Sequence, residues 1–158
     1  MSDLTYSKLP ITYKGRKQIS VTLLSGQKVY AGGIAAVKTG ASTNAGKFVG
    51  VGTDISNDGY SRVVGTWAKD YDASSSGTNA DITTALVELP RSFEVLYFAN
   101  STTNAVTAAY IGSKVYVLDN QTVTTAAGNN AVAGICWGVE TIQGASMVLV
   151  EILPLGIF

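Results

Sequence analysis

The chain has 158 residues, 46% of them hydrophobic and 14% charged, with eleven basic and eleven acidic side chains, no histidine and one cysteine. This length suits one domain with a real core rather than two ordinary ones, and a charged fraction well under the roughly 25% of typical soluble domains leaves much of the surface neutral. Zero net charge gives no field to gather a polyanion, so no nucleic-acid partner is expected, and the missing histidine removes the usual general base and the common serine, cysteine and zinc arrangements. So few charges also give little electrostatic protection against association, which favours a protein that works in an assembled form.

Residues 1–17 are polar, contain Pro10 and Gly15, and alternate around Leu9, Ile11 and Tyr13, which reads as an extended N-terminal arm. The basic residues lean towards this end (Lys8, Lys14, Arg16, Lys17, Lys28), a set that either complements an acidic surface or solvates a β-edge. No segment here has the apolar core of a signal peptide, and no run anywhere reaches roughly 18 apolar residues. The expectation is a product of the cytoplasm with no membrane partner.

In residues 19–24, Ile19, Val21 and Leu23 alternate with Ser20, Thr22 and Leu24, the two-residue period of a half-buried strand. After a turn at Ser25-Gly26, residues 29–37 are rich in small side chains around Gly32-Gly33, a pair that marks a bulge or bend. A loop over 39–47 leads to a strand over 48–51, a turn at Ser56-Asn57-Asp58-Gly59 and a strand over 60–67. Residues 69–81 (KDYDASSSGTNAD) are the most polar stretch and read as a surface loop.

Residues 82–89 fit either a strand or one helical turn, and Pro90 breaks the chain before 92–98 (SFEVLYF). There Phe93, Val95 and Tyr97 occupy one side and Leu96 and Phe98 the other. A strand apolar on both sides is either covered on both faces or buried at a subunit contact. Residues 106–112 suggest a short helical turn ended by Gly112, and 114–118, 132–139 and 147–153 suggest three more strands. The apolar residues 154–158 (PLGIF) need covering, by the chain's own core or by a neighbouring subunit.

Eight to ten short strands with regular turn signals predict an all-β fold: a single-domain sandwich or barrel of short antiparallel strands spanning 18–153, with an extended N-terminal arm (1–17) and an apolar tail (154–158). A weak internal repeat runs through it. Gly26-Gln27-Lys28-Val29-Tyr30 precedes Val49-Gly50-Val51-Gly52 much as Gly112-Ser113-Lys114-Val115-Tyr116 precedes Ala133-Gly134-Ile135-Cys136, suggesting two similar β modules.

Candidates for chemistry are few. Asp70, Asp72 and Asp81 are close in sequence, yet they sit in a polar loop where solvation is the default. The run Asp54-Ile55-Ser56-Asn57-Asp58-Gly59 lacks the spacing and closing Glu of a calcium loop, and Gly50-Val51-Gly52 lacks the Lys-Ser/Thr pair of a phosphate loop. Cys136, inside an apolar run, reads as a buried inert thiol. Trp67 and Tyr71 are candidate exposed loop contacts, and with Trp137 they are the aromatics available to stack on a sugar. The expectation is a non-enzyme with no catalytic residue, metal or cofactor.

Residues 93–152 resemble one family as an ordered series: the apolar strand closing on Phe98, the turn with Asn100 and Ser101, V-T-A-A-x-x-G at 106–112, K-V-Y-V-x-D-x-Q-T-V at 114–123, A-G-I-x-x-G-V at 133–139 and a final V-x-V-E-I. The match thins towards the N-terminus, to residues 28–33 and 48–51. In these features the chain is similar to the capsid decoration, or cement, proteins of tailed phages and prophages, encoded beside the major head protein. The polar loop 69–81 and the tail 154–158 depart from that pattern. The resemblance implies a β-rich homotrimer on the virion surface that binds the major capsid protein, with no catalytic residues to carry over. Leu9, Ile11 and Tyr13 of the arm and Leu153, Leu155, Ile157 and Phe158 of the tail are then the expected capsid or subunit contacts. The alternative is a head-fibre or tail-associated module that binds a host receptor or glycan through Trp67 and Tyr71.

Overall fold

The computed structural model describes residues 17–40, 42–50, 55, 60–74, 79–91 and 94–153. Leu9, Ile11 and Tyr13, the turn at 56–59, and Leu155, Ile157 and Phe158 lie outside the described residues.

The protein is all-β. Its strands are β1 (Lys17–Leu23), β2 (Lys28–Val29), β3 (Ile34–Lys38), β4 (Phe48–Val49), β5 (Ser61–Trp67), β6 (Tyr71–Asp72) and β7 (Ile82–Leu89). They continue as β8 (Val95–Asn100), β9 (Lys114–Val117), β10 (Thr122–Thr124), β11 (Val132–Ile142) and β12 (Ala145–Glu151), with a 3-10 turn at Ala108–Tyr110. Residues 82–89, ambiguous in the sequence, are a strand. The twelve strands among the described residues exceed the expected eight to ten because β2, β4 and β6 are two residues long, too short to show an alternation.

Of sandwich and barrel, the chain forms the barrel, and forms it twice: β1-β4-β3-β5-β7 and β10-β8-β12-β11-β9 each close on themselves, while β2 and β6 make a separate ladder. The two barrels have the same topology. Strands β1, β3, β4, β5 and β7 correspond in order to β8, β9, β10, β11 and β12. Each barrel has one parallel pair, β1 with β4 and β8 with β10, where only antiparallel pairing was expected.

The correspondence extends to single hydrogen bonds. Gly32 N–H donates to Trp67 O at 2.9 Å and Gly112 N–H to Cys136 O at 2.7 Å; Trp67 N–H donates to Gly33 O and Cys136 N–H to Ser113 O, both at 2.9 Å. Gly32 and Gly112 share a left-handed backbone, φ 83° and 85°, which glycine adopts without a Cβ clash. A Cβ on Gly65 would lie 2.1 Å from Glu88 O, and one on Gly134 2.1 Å from Glu151 O, so both strand crossings require glycine.

This corrects the register of the sequence repeat. Residues 112–117 match 32–37, not 26–30, and 133–136 match 64–67, not 49–52. Lys28 and Val29 sit in the side ladder instead, paired with Asp72 and Tyr71.

The buried side chains are mostly Val, Ala and Ile, as suits crowded barrel interiors. One cluster, around Leu23, Val29, Trp67 and Val87, fills the first barrel. The other joins Phe98, Val115, Val123, Val148 and Val150 of the second barrel to Ile34, Ala36, Val49 and Val63 of the first. The barrels therefore share a core. Ile34 N–H also donates to Asn120 O at 2.8 Å across the junction.

Candidate functional site

In a closed barrel each strand turns one side inwards and the other outwards. Along β8, Phe98 is 4% exposed and Leu96 packs against the core. Val95, Tyr97 and Ala99 therefore point out. Register carries this face across two more strands: Val95 lies beside Glu151 and then Ile135, Tyr97 beside Leu149 and then Gly138, and Ala99 beside Met147 and then Glu140.

The pairing of β11 with β12 is irregular between Cys136 and Gly138. Trp137 is the extra residue of this bulge, and its ring stands out from the sheet, 50% exposed. Tyr97 is 48% exposed and Val95 37%. The aromatic polar tips are already engaged: Tyr97 Oη donates to Glu140 Oε2 at 3.1 Å and Trp137 Nε1 to Glu151 Oε1 at 2.8 Å. The Glu140 hydrogen bond also pushes the Tyr97 hydroxyl above its usual pKa, keeping it a donor. What remains open is ring and aliphatic surface with its hydrogen bonds largely satisfied, the kind of surface that suits an apolar contact.

The face runs into a cleft of about 470 Å³ between the barrels, which Tyr97, Ala99 and Met147 share with Tyr30, Gly33 and Gln121. Tyr30 is itself 50% exposed at its rim.

The first barrel supplies a comparison within the same molecule. Its positions equivalent to Val95, Tyr97 and Met147, matched through the pairings of β1 with β7 and β8 with β12, hold Gln18, Ser20 and Thr84. All three are exposed. Gln18 Nε2 bonds Glu88 at 3.4 Å, an all-polar counterpart of the Trp137 contact with Glu151. The fold thus tolerates polar residues at these places, and the apolar set on the second barrel is not needed to close a barrel.

Two sequence expectations are corrected. Trp67 does not face outwards: it is 1% exposed, paired with Val87 inside the first barrel, with Nε1–H donating to Ile34 O at 3.1 Å. Gly50 makes room for it, since a Cβ there would lie 2.4 Å from the indole nitrogen. Tyr71 is half-buried edge-on to Trp67, and its hydroxyl accepts the Leu86 N–H at 2.9 Å. Both rings are part of the packing. Leu153, the last described residue, is half-buried.

The three loop aspartates serve as ties. Asp70 accepts Ala31 N–H, Asp72 accepts the N–H and hydroxyl of Ser74 and pairs with Lys28, and Asp81 accepts Ser25 N–H and pairs with Lys47 at 2.8 Å. The Ser74 bonds hold Asp72, and the Lys47 bond holds Asp81, below the ordinary 3.8, the opposite of what a carboxyl acting as a general acid needs. Cys136 is buried, and desolvation pushes its thiol pKa up.

Sequence reasoning put Val95 and Tyr97 on one side of a strand either covered on both faces or buried at a subunit contact, and named Trp137 as an aromatic able to stack on a sugar, but did not join the three into one face. The available signals were the two-sided apolar pattern of 92–98 and the Trp137-Gly138 pair that marks the bulge. Comparison with known proteins finds no matching family model, no matching curated protein and no matching solved structure.

Proposed function

We propose that this protein is a structural component of the virion that decorates and cements the outer surface of a tailed-phage capsid, binding the major capsid protein and further copies of itself as a homotrimer. The observation that carries the reading is the open aromatic face of the second barrel, on a fold whose other half has Gln18, Ser20 and Thr84 where this face has Val95, Tyr97 and Met147. The ordered resemblance of residues 93–152 to decoration proteins supports the same conclusion. Such a protein acts by mass action: it binds the assembled shell and not its separated subunits, so it raises the free energy of disassembly. Leu9, Ile11 and Tyr13 of the arm and Leu153, Leu155, Ile157 and Phe158 of the tail add contacts to shell or neighbour. No catalysis and no cofactor are assigned.

The test is the copy number of this chain in purified particles, relative to the major head protein. A fixed ratio, of order one per one to a few shell subunits, is expected; absence from the particle would overturn the reading. A second reading, a head-fibre or tail-associated module binding host glycan, keeps one observation: the half-exposed Trp137 ring beside the Glu151 carboxylate offers a stacking plane with an acceptor at its edge. A glycan array with purified protein, together with a few copies per particle, would favour it.

A further inference from the structure

The open face of the second barrel carries charge of one sign. Strands β8, β11 and β12 contain Glu140 and Glu151 and no Lys or Arg, with Lys114 of β9 flanking Ile135 at one side. The opposite pattern occurs in residues 8–17, which hold Lys8, Lys14, Arg16 and Lys17 and no acidic residue. Leu9, Ile11 and Tyr13 alternate there with Lys8, Pro10, Thr12 and Lys14. In an extended conformation this puts three apolar side chains on one side and most of the polar ones on the other.

Chain connectivity brings the two together. Lys17 pairs with Leu89, and Val95, at the edge of the face, follows Leu89 by six positions. At about 3.5 Å per residue, no more than roughly 21 Å of chain separates the root of the segment from the face. A tether this short holds the segment at an effective concentration in the millimolar range, which favours its own face over that of a second copy.

We infer that residues 8–13 of the chain dock on its own second barrel, with Leu9, Ile11 and Tyr13 covering Val95, Tyr97 and Trp137 and the neighbouring lysines meeting Glu140 and Glu151. The inference does not depend on the decoration reading, since it concerns the particle-free protein. Where that reading holds, docking shields the apolar face until a shell takes its place.

The test uses the full-length chain. Under mild oxidation, Ile11→Cys/Tyr97→Cys is expected to form a disulfide within one chain, faster than Ile11→Cys/Thr84→Cys. Thr84 lies in β7, the strand paired with the segment's root strand, and is the first barrel's exposed polar counterpart of Met147. Equal rates, or a preference for Thr84, overturn the inference; a disulfide between chains overturns it in favour of exchange between copies. Acrylamide quenching is a second readout that needs no cysteine. Trp67 is 1% exposed, so quenching reports Trp137. The native chain is expected to be protected and Ile11→Asp to lose that protection; a native Trp137 quenched as freely as the Ile11→Asp form also overturns it.

Discussion

Replacing Val95 by Gln and Tyr97 by Ser transfers to the second barrel the residues that Gln18 and Ser20 supply on the first, so the substitution uses a surface that this fold already carries. Tyr97 is 48% exposed and Val95 37%. A fully covered tyrosine buries roughly 200 Å². Covering the open half of Tyr97 therefore removes about 100 Å² from water and contributes ~2.5 kcal/mol at about 25 cal/mol/Å², with a little under ~1 kcal/mol more from Val95. Losing ~3 kcal/mol lowers affinity about a hundredfold. Fold stability should move by less than ~1 kcal/mol, because neither side chain is in the core and the Tyr97–Glu140 hydrogen bond is exposed. Occupancy is read by titrating the double variant onto particles lacking this chain and measuring co-sedimentation, and stability by urea unfolding. Full occupancy at wild-type concentrations would refute the assignment of the face. A stability loss above ~2 kcal/mol would refute the claim that these residues are dispensable to the barrel.

Gly65→Ala and Gly134→Ala should destabilise to a similar degree, by ~2 kcal/mol or more, because each Cβ meets a carbonyl oxygen at 2.1 Å and the paired strands have to part; Gly138→Ala, whose nearest neighbour would be 3.7 Å away, is the tolerated control in the same denaturation series. Trp67→Ala should cost ~3–5 kcal/mol in urea unfolding, from the cavity it leaves in the first barrel. Acid should weaken the fold through Asp72 and Asp81. Both carboxyls are held below the ordinary 3.8, Asp72 mainly by the Ser74 hydroxyl and Asp81 mainly by Lys47, so their contribution is present above that value and is lost as pH falls through the lower folded value. Thermal melts from about pH 5 downwards should show the decline, and Asp81→Asn should flatten it.

Strand positions were legible where alternation runs for five residues or more, as at Ile19, Val21 and Leu23 or through 147–153, because period-two burial leaves a direct mark on side-chain type. The hairpin end was less legible: β11 runs on to Ile142 and β12 starts at Ala145, beyond the expected 139 and 147. Gln143 and Gly144 both take positive φ, 51° and 83°, in the two-residue turn between β11 and β12. The duplication was visible but misaligned. What the barrels share is backbone geometry, the left-handed glycine at 32 and 112 and the crowded glycine at 65 and 134, while Trp67 stands where the second barrel has Cys136. Matching by side chain drew GQKVY to GSKVY and missed it. Trp67 was misplaced because a tryptophan next to a polar loop looks like a loop residue, and the room that Gly50 leaves for it, 17 positions earlier, is a three-dimensional fact.

The two halves also differ in a way that bears on assembly. If Val95, Tyr97 and Met147 served folding, the matching strands of the first barrel, which close with the same topology and the same crowded glycines, would need them too; they carry Gln18, Ser20 and Thr84 instead, and only Leu149 keeps an apolar counterpart, Leu86. Loops point the same way. The first barrel connects β5 to β7 through a side ladder, β2 with β6, tied by Lys28–Asp72, while the second turns directly through Gln143 and Gly144. That tight turn leaves β11 and β12 paired from Ile135 with Glu151 to Ile142 with Ala145. Among the described residues the second barrel therefore presents a longer and more apolar sheet than its partner, and this asymmetry between two copies of one topology is what the proposed contact surface rests on.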